Sequence, residues 1–414
     1  MSKSSARSGV HIPKYRLPDC GLWALDFGLI RACAALGIVL LFVPLGAPAQ
    51  SAIDPRAFVQ INLPADGPVE LLNVDYGSSR IVRGERAMTM DLDVTLTLRN
   101  RSAKPIDGLA IALGWGLARS EGLNAVSGIR LEAGQNYALP ARMHAEIETP
   151  AARSRARLAD LPSGARVRLD AVLFADGSGY GPDQMRSLGM LRINQAESAR
   201  DRRFFLALFQ SGGLPRLLPV LEKWVNEAHT IPGAQRALAG DPAERAREQA
   251  EAAVFRVVRL PGAPLEILSG RARLSEGRLV DPILEVRNQS GKPITDFQVG
   301  WVLRDLSGTE FRAATTTASA RSSAWAGLPL AGGQTIAWSN PTVLEVGPSG
   351  SRVLAGRVYV RAVEFADGQV WVPDRVALES MNLSRVATTS PETFRLFGLY
   401  RAQGAASLLA DLRR

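Results

Sequence analysis

Four aspartates are the first residues in this chain whose types and spacing could do chemistry. They stand in a ten-residue phrase written twice, "FADGSGYGPD" at 174–183 and "FADGQVWVPD" at 365–374, so that Asp176/Asp183 and Asp367/Asp374 recur as matched pairs. Two carboxylates at fixed spacing can serve as a general acid and base, or as oxygen ligands for calcium. A calcium loop, however, alternates several oxygen ligands and ends in a bidentate acid. The phrase supplies two acids and no such ladder. An Asp-Gly between alternating apolar runs is instead a hairpin signal, because a type I′ turn takes positive φ at both central residues, which Asp tolerates and Gly prefers. The expected reading is a hairpin built once per copy, with Tyr180 and Trp371 on the return strand as apolar plugs of the core.

Other chemistry is thinly represented. The histidines are His11, His144 and His229, and the cysteines Cys20 and Cys33. A zinc site needs three or four converging ligands, so neither a metal nor a cofactor is expected. No nucleophile elbow, phosphate loop or dinucleotide fingerprint occurs, and no catalytic residue is assigned. One feature is not duplicated. "ARSRARL" at 152–158 puts Arg153, Arg155 and Arg157 on one face of a strand, while the positions 191 further on are Leu344, Val346 and Pro348. Such a row can guard a solvated sheet edge, or meet an anionic envelope polymer or lipid headgroups. With Trp325 and Trp338, both confined to the second copy, these arginines are the candidate partner contacts.

The elements that must position these residues come from an internal repeat. "LTLRNRSAKPIDGLAI" at 96–111 matches "LEVRNQSGKPITDFQV" at 284–299, a separation of 188 from Asn100 to Asn288, and the FADG phrases are 191 apart from Phe174 to Phe365. At the larger separation Leu208/Leu399, Phe209/Tyr400, Gly213/Gly404 and Leu217/Leu408 also align. Such self-similarity over a long period marks a tandem repeat.

Within each copy the clearest pattern is strict alternation. Met88, Met90, Leu92, Val94, Leu96 and Leu98 alternate with polar residues, the period of a half-buried strand. Further strands are expected at 128–137, 142–148 and 165–174. Many short alternating strands predict a mainly β fold with helical appendages, made of two tandem immunoglobulin-like β-sandwich modules, each followed by a short helical segment. Helices are expected from an N-cap at Ser198 with Asp201 three residues on, from Ser390-Pro391-Glu392, and from Asp241-Pro242 to about residue 257, with a loop at 229–242.

The N-terminus carries Lys3, Lys14 and three arginines before an uncharged stretch at 32–53, whose apolar centre leads into "PLGAPAQS". This is the pattern of a secretory signal cut near Ala49. An uncleaved anchor over 29–46 is the alternative, and both place residues 50–414 outside the cytoplasm. Both cysteines precede the expected cut, so the exported part has no thiol. The net charge of +9 divides into +3 for the leader (5 basic − 2 acidic) and +6 for the remainder. The basic residues are interspersed with acids, which argues against nucleic acid as a partner. The expected organisation is a leader at 1–49, a first module at 50–195, a helical segment and linker at 196–258, a second module at 259–388 and a closing helical segment at 389–414. Its expected role is that of an exported, non-enzymatic interaction or assembly protein of the cell envelope, the alternative being a carbohydrate-binding or carbohydrate-processing one. The expected partner is a protein or an anionic envelope polymer.

Overall fold

Alternation of apolar and polar side chains along Ala87–Asn100 can bury one face only if a second sheet covers it, and that requirement organises the first half of the chain. A computed structural model describes residues 51–83, 87–115, 121–148, 164–230, 235–238, 251–253, 255–275, 278–305, 307–312, 315–319, 327–339, 342–345, 353–384, 386–387 and 389–413. All of these lie in one unit, Pro48–Arg414. The fold is mainly β with few helices.

The first ten strands are β1 (Ser51–Ile53), β2 (Val59–Asn62), β3 (Val69–Asp75), β4 (Arg80–Arg83), β5 (Ala87–Asn100), β6 (Ile106–Trp115), β7 (Glu121–Leu131), β8 (Asn136–Glu148), β9 (Ala165–Phe174) and β10 (Gly179–Tyr180). One sheet runs β1-β4-β5-β3 with β8 also on β5. The other runs β10-β9-β6-β7 with β2 beside β9. The six alternating apolar residues of β5 are each no more than 3% exposed. They share one core with Leu109, Ile111, Val167 and Leu169 of the other sheet. The strand expected at 128–137 is divided by a tight turn in which Gln135 N–H donates to Glu132 O.

The second half repeats this plan with β11 (Gln235–Leu238), β12 (Glu251–Ala253), β13 (Phe255–Val257), β14 (Leu265–Ser275), β15 (Arg278–Asn288), β16 (Ile294–Asp305), β17 (Glu310–Arg312), β18 (Thr316–Ser319), β19 (Thr335–Ser339), β20 (Thr342–Glu345), β21 (Val353–Phe365) and β22 (Val370–Trp371). Its sheets run β11-β20-β15-β14-β12, with β19 on β15, and β13-β21-β16-β17, with β18 on β16 and β22 on β21. A separate core surrounds Phe297, Trp301 and Trp338. Two expectations, one of a helix and one of a loop, are corrected here. Residues 251–253 and 255–257 are strands, because they complete the edges of β14 and β21; residues 239–250 lie outside the described ones. Part of the expected loop, 235–238, is likewise a strand, paired with β20.

The helices among the described residues are α1 (Pro55–Phe58), α2 (Ser187–Thr230), α3 (Arg375–Ser380) and α4 (Pro391–Leu412). The start at Ser390-Pro391 is as expected, with Ser390 at the N-cap and Glu392 in the first turn. The start at Ser198 is not: that residue lies inside α2, which begins eleven positions earlier. Its first turn is held by acids that local sequence does not reveal, since Leu188 N–H donates to Asp183 Oδ1 and Ser187 Oγ to Asp170 Oδ2. Each long helix is interrupted by a glycine outside helical geometry, Gly213 at φ 66° and Gly404 at φ 80°. Side chains rarely adopt such angles, so glycine is required there. The segments on either side pack around Phe205, Leu217, Leu221, Leu396, Leu408 and Leu412.

Candidate functional site

The repeated acids are committed to structure. Asp176 Oδ1 accepts from Ser178 N–H at 2.9 Å, and its Oδ2 lies 2.7 Å from Lys104 Nζ. Asp367 repeats both contacts, accepting from Gln369 N–H at 3.0 Å and lying 2.6 Å from Lys292 Nζ. The lysines and their hydrogen-bonding neighbours hold both carboxyls below the ordinary carboxylate range. Each lysine also sits over the phenylalanine that opens the phrase, at 5.6 Å from Phe174 and 5.8 Å from Phe365. The two loops that recur in each half therefore clip together. Ala175 N–H donates to Pro105 O, and Ala366 N–H to Pro293 O.

The turn itself differs from expectation. Gly177 and Gly368 have φ of 82° and 79°, whereas neither Asp176 nor Asp367 has positive φ. With Phe174 N–H bonded to Ser178 O and Gly177 N–H to Phe174 O, this is a three-residue hairpin with a glycine bulge, not a type I′ turn. The later acids are helix devices: Asp374 caps α3 by accepting from Val376 N–H at 2.8 Å, as Asp183 does for α2. Tyr180 and Trp371 are half-buried and pack against the two cores. Among the described residues no group of three or more His, Cys, Asp or Glu is placed to hold a metal.

Of the candidate partner contacts, Arg153, Arg155, Arg157 and Trp325 lie outside the described residues. Trp338 is corrected: it is 1% exposed and meets Phe297 edge to face at 5.2 Å, so it offers no surface to a partner. It lies on β19 with its side chain in the second core.

What the sequence reading missed is a charged joint along α2. Arg375 of α3 donates Nε to Asp201 Oδ1 and Nη2 to Asp201 Oδ2, both at 2.7 Å, and Arg200 Nε donates to the same Oδ1 at 2.7 Å. Arg375 also stacks over Trp224 at 4.3 Å. Burial alone would raise the Asp201 carboxyl, but bonds from Arg375 and the charges of Arg375 and Arg200 bring it down to about 2. Nearby, Arg361 on β21 donates to both Glu197 oxygens at 3.3 and 3.2 Å, and Arg192 donates to Glu364 at 2.7 Å. A second cluster joins α2 to α4 through Arg202, Glu392, Arg395 and Asp411. The helix thus exchanges buried charges with the second half of the chain, while Leu191 packs on Ala110, Ala171 and Leu173 of the first.

Beside this joint lies a cleft of about 240 Å³ between α2 and the β16–β18–β21 face. The two copies differ at this place. Gly108, Ala110 and Leu173 lie beneath α2 in the first half, and their counterparts at the repeat separations are Asp296, Gln298 and Glu364. Asp296 Oδ2 and Gln298 Oε1 are buried atoms with no hydrogen-bond partner among the described residues. They line the cleft with Met185, Met190 and Ile193. Chemically this offers acceptors beside an apolar wall, suited to a ligand that donates hydrogen bonds. A second cleft, of about 330 Å³, is lined by Asp107, Arg130, Gln195, Arg202 and Glu392. There burial raises the Asp107 carboxyl against the opposing pull of Gln195 and Arg130.

No protein-family model matches this chain, and no curated protein matches it. A solved structure of selenomethionine-labelled β-glucosidase from Kluyveromyces marxianus aligns with 67% of this chain and 45% of its own length at 9% identity. This chain therefore spans less than half of that protein. The TM-score of 0.15 carries no argument about fold or activity.

Proposed function

We propose that this chain is an exported, non-enzymatic interaction protein of the cell envelope, in which a shared helix holds two tandem immunoglobulin-like β-sandwich modules as one scaffold. The observation that carries the reading is the fully buried Asp201–Arg375 pair. A buried ion pair is a poor source of net stability but a directional one, suited to fixing how two bodies meet. The matched contacts of Lys104/Asp176 and Lys292/Asp367 support a duplicated framework whose acids serve architecture. The apolar N-terminal stretch supports export. The test is protease accessibility of the full chain in intact cells and after opening of the outer barrier, followed by affinity capture from the envelope fraction. Degradation outside the cytoplasm and a stoichiometric partner are expected; a cytoplasmic chain, or a turnover activity lost on one point change, overturns the reading.

The cleft favours a second reading, carbohydrate binding. Asp296 and Gln298 would accept from sugar hydroxyls beside the Met185/Met190 wall. Titration with soluble cell-wall glycans tests it: saturable binding lost in Asp296→Ala supports it, and no binding removes it.

A further inference from the structure

The helical hairpins have more apolar surface than the scaffold can cover. By length and composition α2 could cross a bilayer, yet its most apolar stretch is only 17% buried. It does not do so as a continuous rod. Gly213 breaks it, Pro215 and Pro219 follow, and its first half carries the charges that bind the β21 face and α3. What remains is a pair of short hairpins turning at Gly213 and Gly404. Phe204, Phe209, Leu214, Phe397 and Tyr400 are only partly buried around their common core, and Phe394 is 38% exposed.

Charge says what covers this surface. Residues 203–221 contain Arg203 and Arg216 and no acid; residues 393–410 contain Arg395 and Arg401 and no acid. Arg395 is spent on Glu392 and Asp411, but Arg203, Arg216 and Arg401 are exposed. Arg413 lies over the Phe209 ring at 5.8 Å, which places the end of α4 beside the α2 hairpin. A second copy of the chain would bring like charges together at such a face. An apolar pair of hairpin tips that carry arginines and no acid, with exposed Glu222 and Lys223 just beyond them on α2, fits the boundary of an anionic bilayer, with aromatic and leucine side chains at the headgroup level and guanidinium groups on phosphate.

We propose that the α2 and α4 hairpins dock the chain on an anionic phospholipid surface, lying in the interface without spanning it. This rests on the envelope-scaffold reading and names the surface that the scaffold meets. The test is hydrogen exchange of the full chain with vesicles of phosphatidylcholine alone or with about 30% phosphatidylglycerol. Exchange is read locally at 204–220 and 394–410, so binding through the N-terminus does not imitate docking. Slowed exchange at both segments with anionic vesicles only is the expected result. Arg216→Gln with Arg401→Gln should weaken vesicle affinity by about 30-fold, taking each arginine at its usual worth near such a surface. These residues are exposed, so the fold is spared; Phe394→Ser is a second variant should the pair unfold. Unchanged exchange with anionic vesicles overturns the proposal. So does protection that appears without lipid on raising protein concentration, which assigns the face to a second copy. Either result leaves the scaffold reading standing, since that falls on localisation and capture.

Discussion

Arg375 grips Asp201 through two parallel bonds of 2.7 Å although 174 residues separate them in the chain. The carboxylate is fully buried and the guanidinium nearly so. Removing one partner of such a pair strands the other charge, which costs far more than the intact pair contributes. Arg375→Met is therefore expected to destabilise the protein by about 3–5 kcal/mol, measured as a lower urea midpoint. Asp201→Leu combined with Arg375→Met should recover part of that loss. A double variant as unstable as the sum of the singles would place the cost in lost packing on Trp224.

The same pair sets an acid limit. The folded Asp201 carboxyl is lowered to about 2, below the ordinary value of about 4 for an unfolded chain. Its contribution is therefore complete above about pH 4 and is lost as pH falls through about 2. Stability curves measured by denaturant titration should steepen over that interval. Asp201→Asn should be less stable at neutral pH and flatter on the acid side; an unaltered acid slope would assign the fall to other carboxylates.

Asn100 and Asn288 explain the other repeated phrase. Asn100 Nδ2 donates to Lys104 O and Leu131 O, both at 2.9 Å, while its Oδ1 accepts from Ser102 N–H and Oγ. Asn288 makes the same four bonds with Lys292 O, Leu330 O and Ser290. Both side chains are buried, at 1% and 0% exposure. Alanine at either position leaves several buried groups unpaired, at roughly 1–3 kcal/mol for each that stays dry. Comparable losses of thermal midpoint are expected for Asn100→Ala and Asn288→Ala. Serine should not rescue them, because it reaches neither pair of carbonyls.

The hairpin glycines make a smaller, cleaner prediction. A Cβ at Gly177 or Gly368 would meet nothing within 4 Å, so the positive φ is the sole obstacle. Alanine should cost about 1–2 kcal/mol at each, the usual penalty of left-handed backbone, and asparagine less. Equal effects of alanine and asparagine on the urea midpoint would mean that the turn relaxes to another type.

How much of this was legible in the sequence follows from how local each cause is. The strand β5 could be read because alternation is a property of neighbours, and every apolar residue from Met88 to Leu98 is buried. The hairpin was legible in kind but not in type, since Asp-Gly serves both a type I′ turn and a glycine bulge. The true start of α2 was hidden because Asp170 and Asp183 hold it from outside its own pattern. Asp201 and Glu197 resemble solvated helix acids until Arg375 and Arg361 arrive from the far end of the chain. The cleft left one trace, the change from Gly108 and Ala110 to Asp296 and Gln298 between aligned copies. Position-by-position comparison of the repeats would have found it.

Asp107 supplies the opposite titration to Asp201. Burial beside α2 raises its folded pKa; Gln195, Arg130 and Arg395 pull it down, and Glu392 adds to the rise. A carboxyl raised in the folded state binds its proton more tightly there, so stability falls as pH climbs from the unfolded pKa through the folded one. Ionised Asp107 thus weakens the protein at neutral pH. Asp107→Asn keeps the shape and removes the charge, and should raise the urea midpoint at pH 7. The gain should shrink below about pH 4, where both states of the wild type are protonated. A midpoint unchanged at pH 7 would mean that Arg130 and Arg395 fully offset the cost of burial. A lowered one would make Asp107 a working member of the α2–α4 charge cluster.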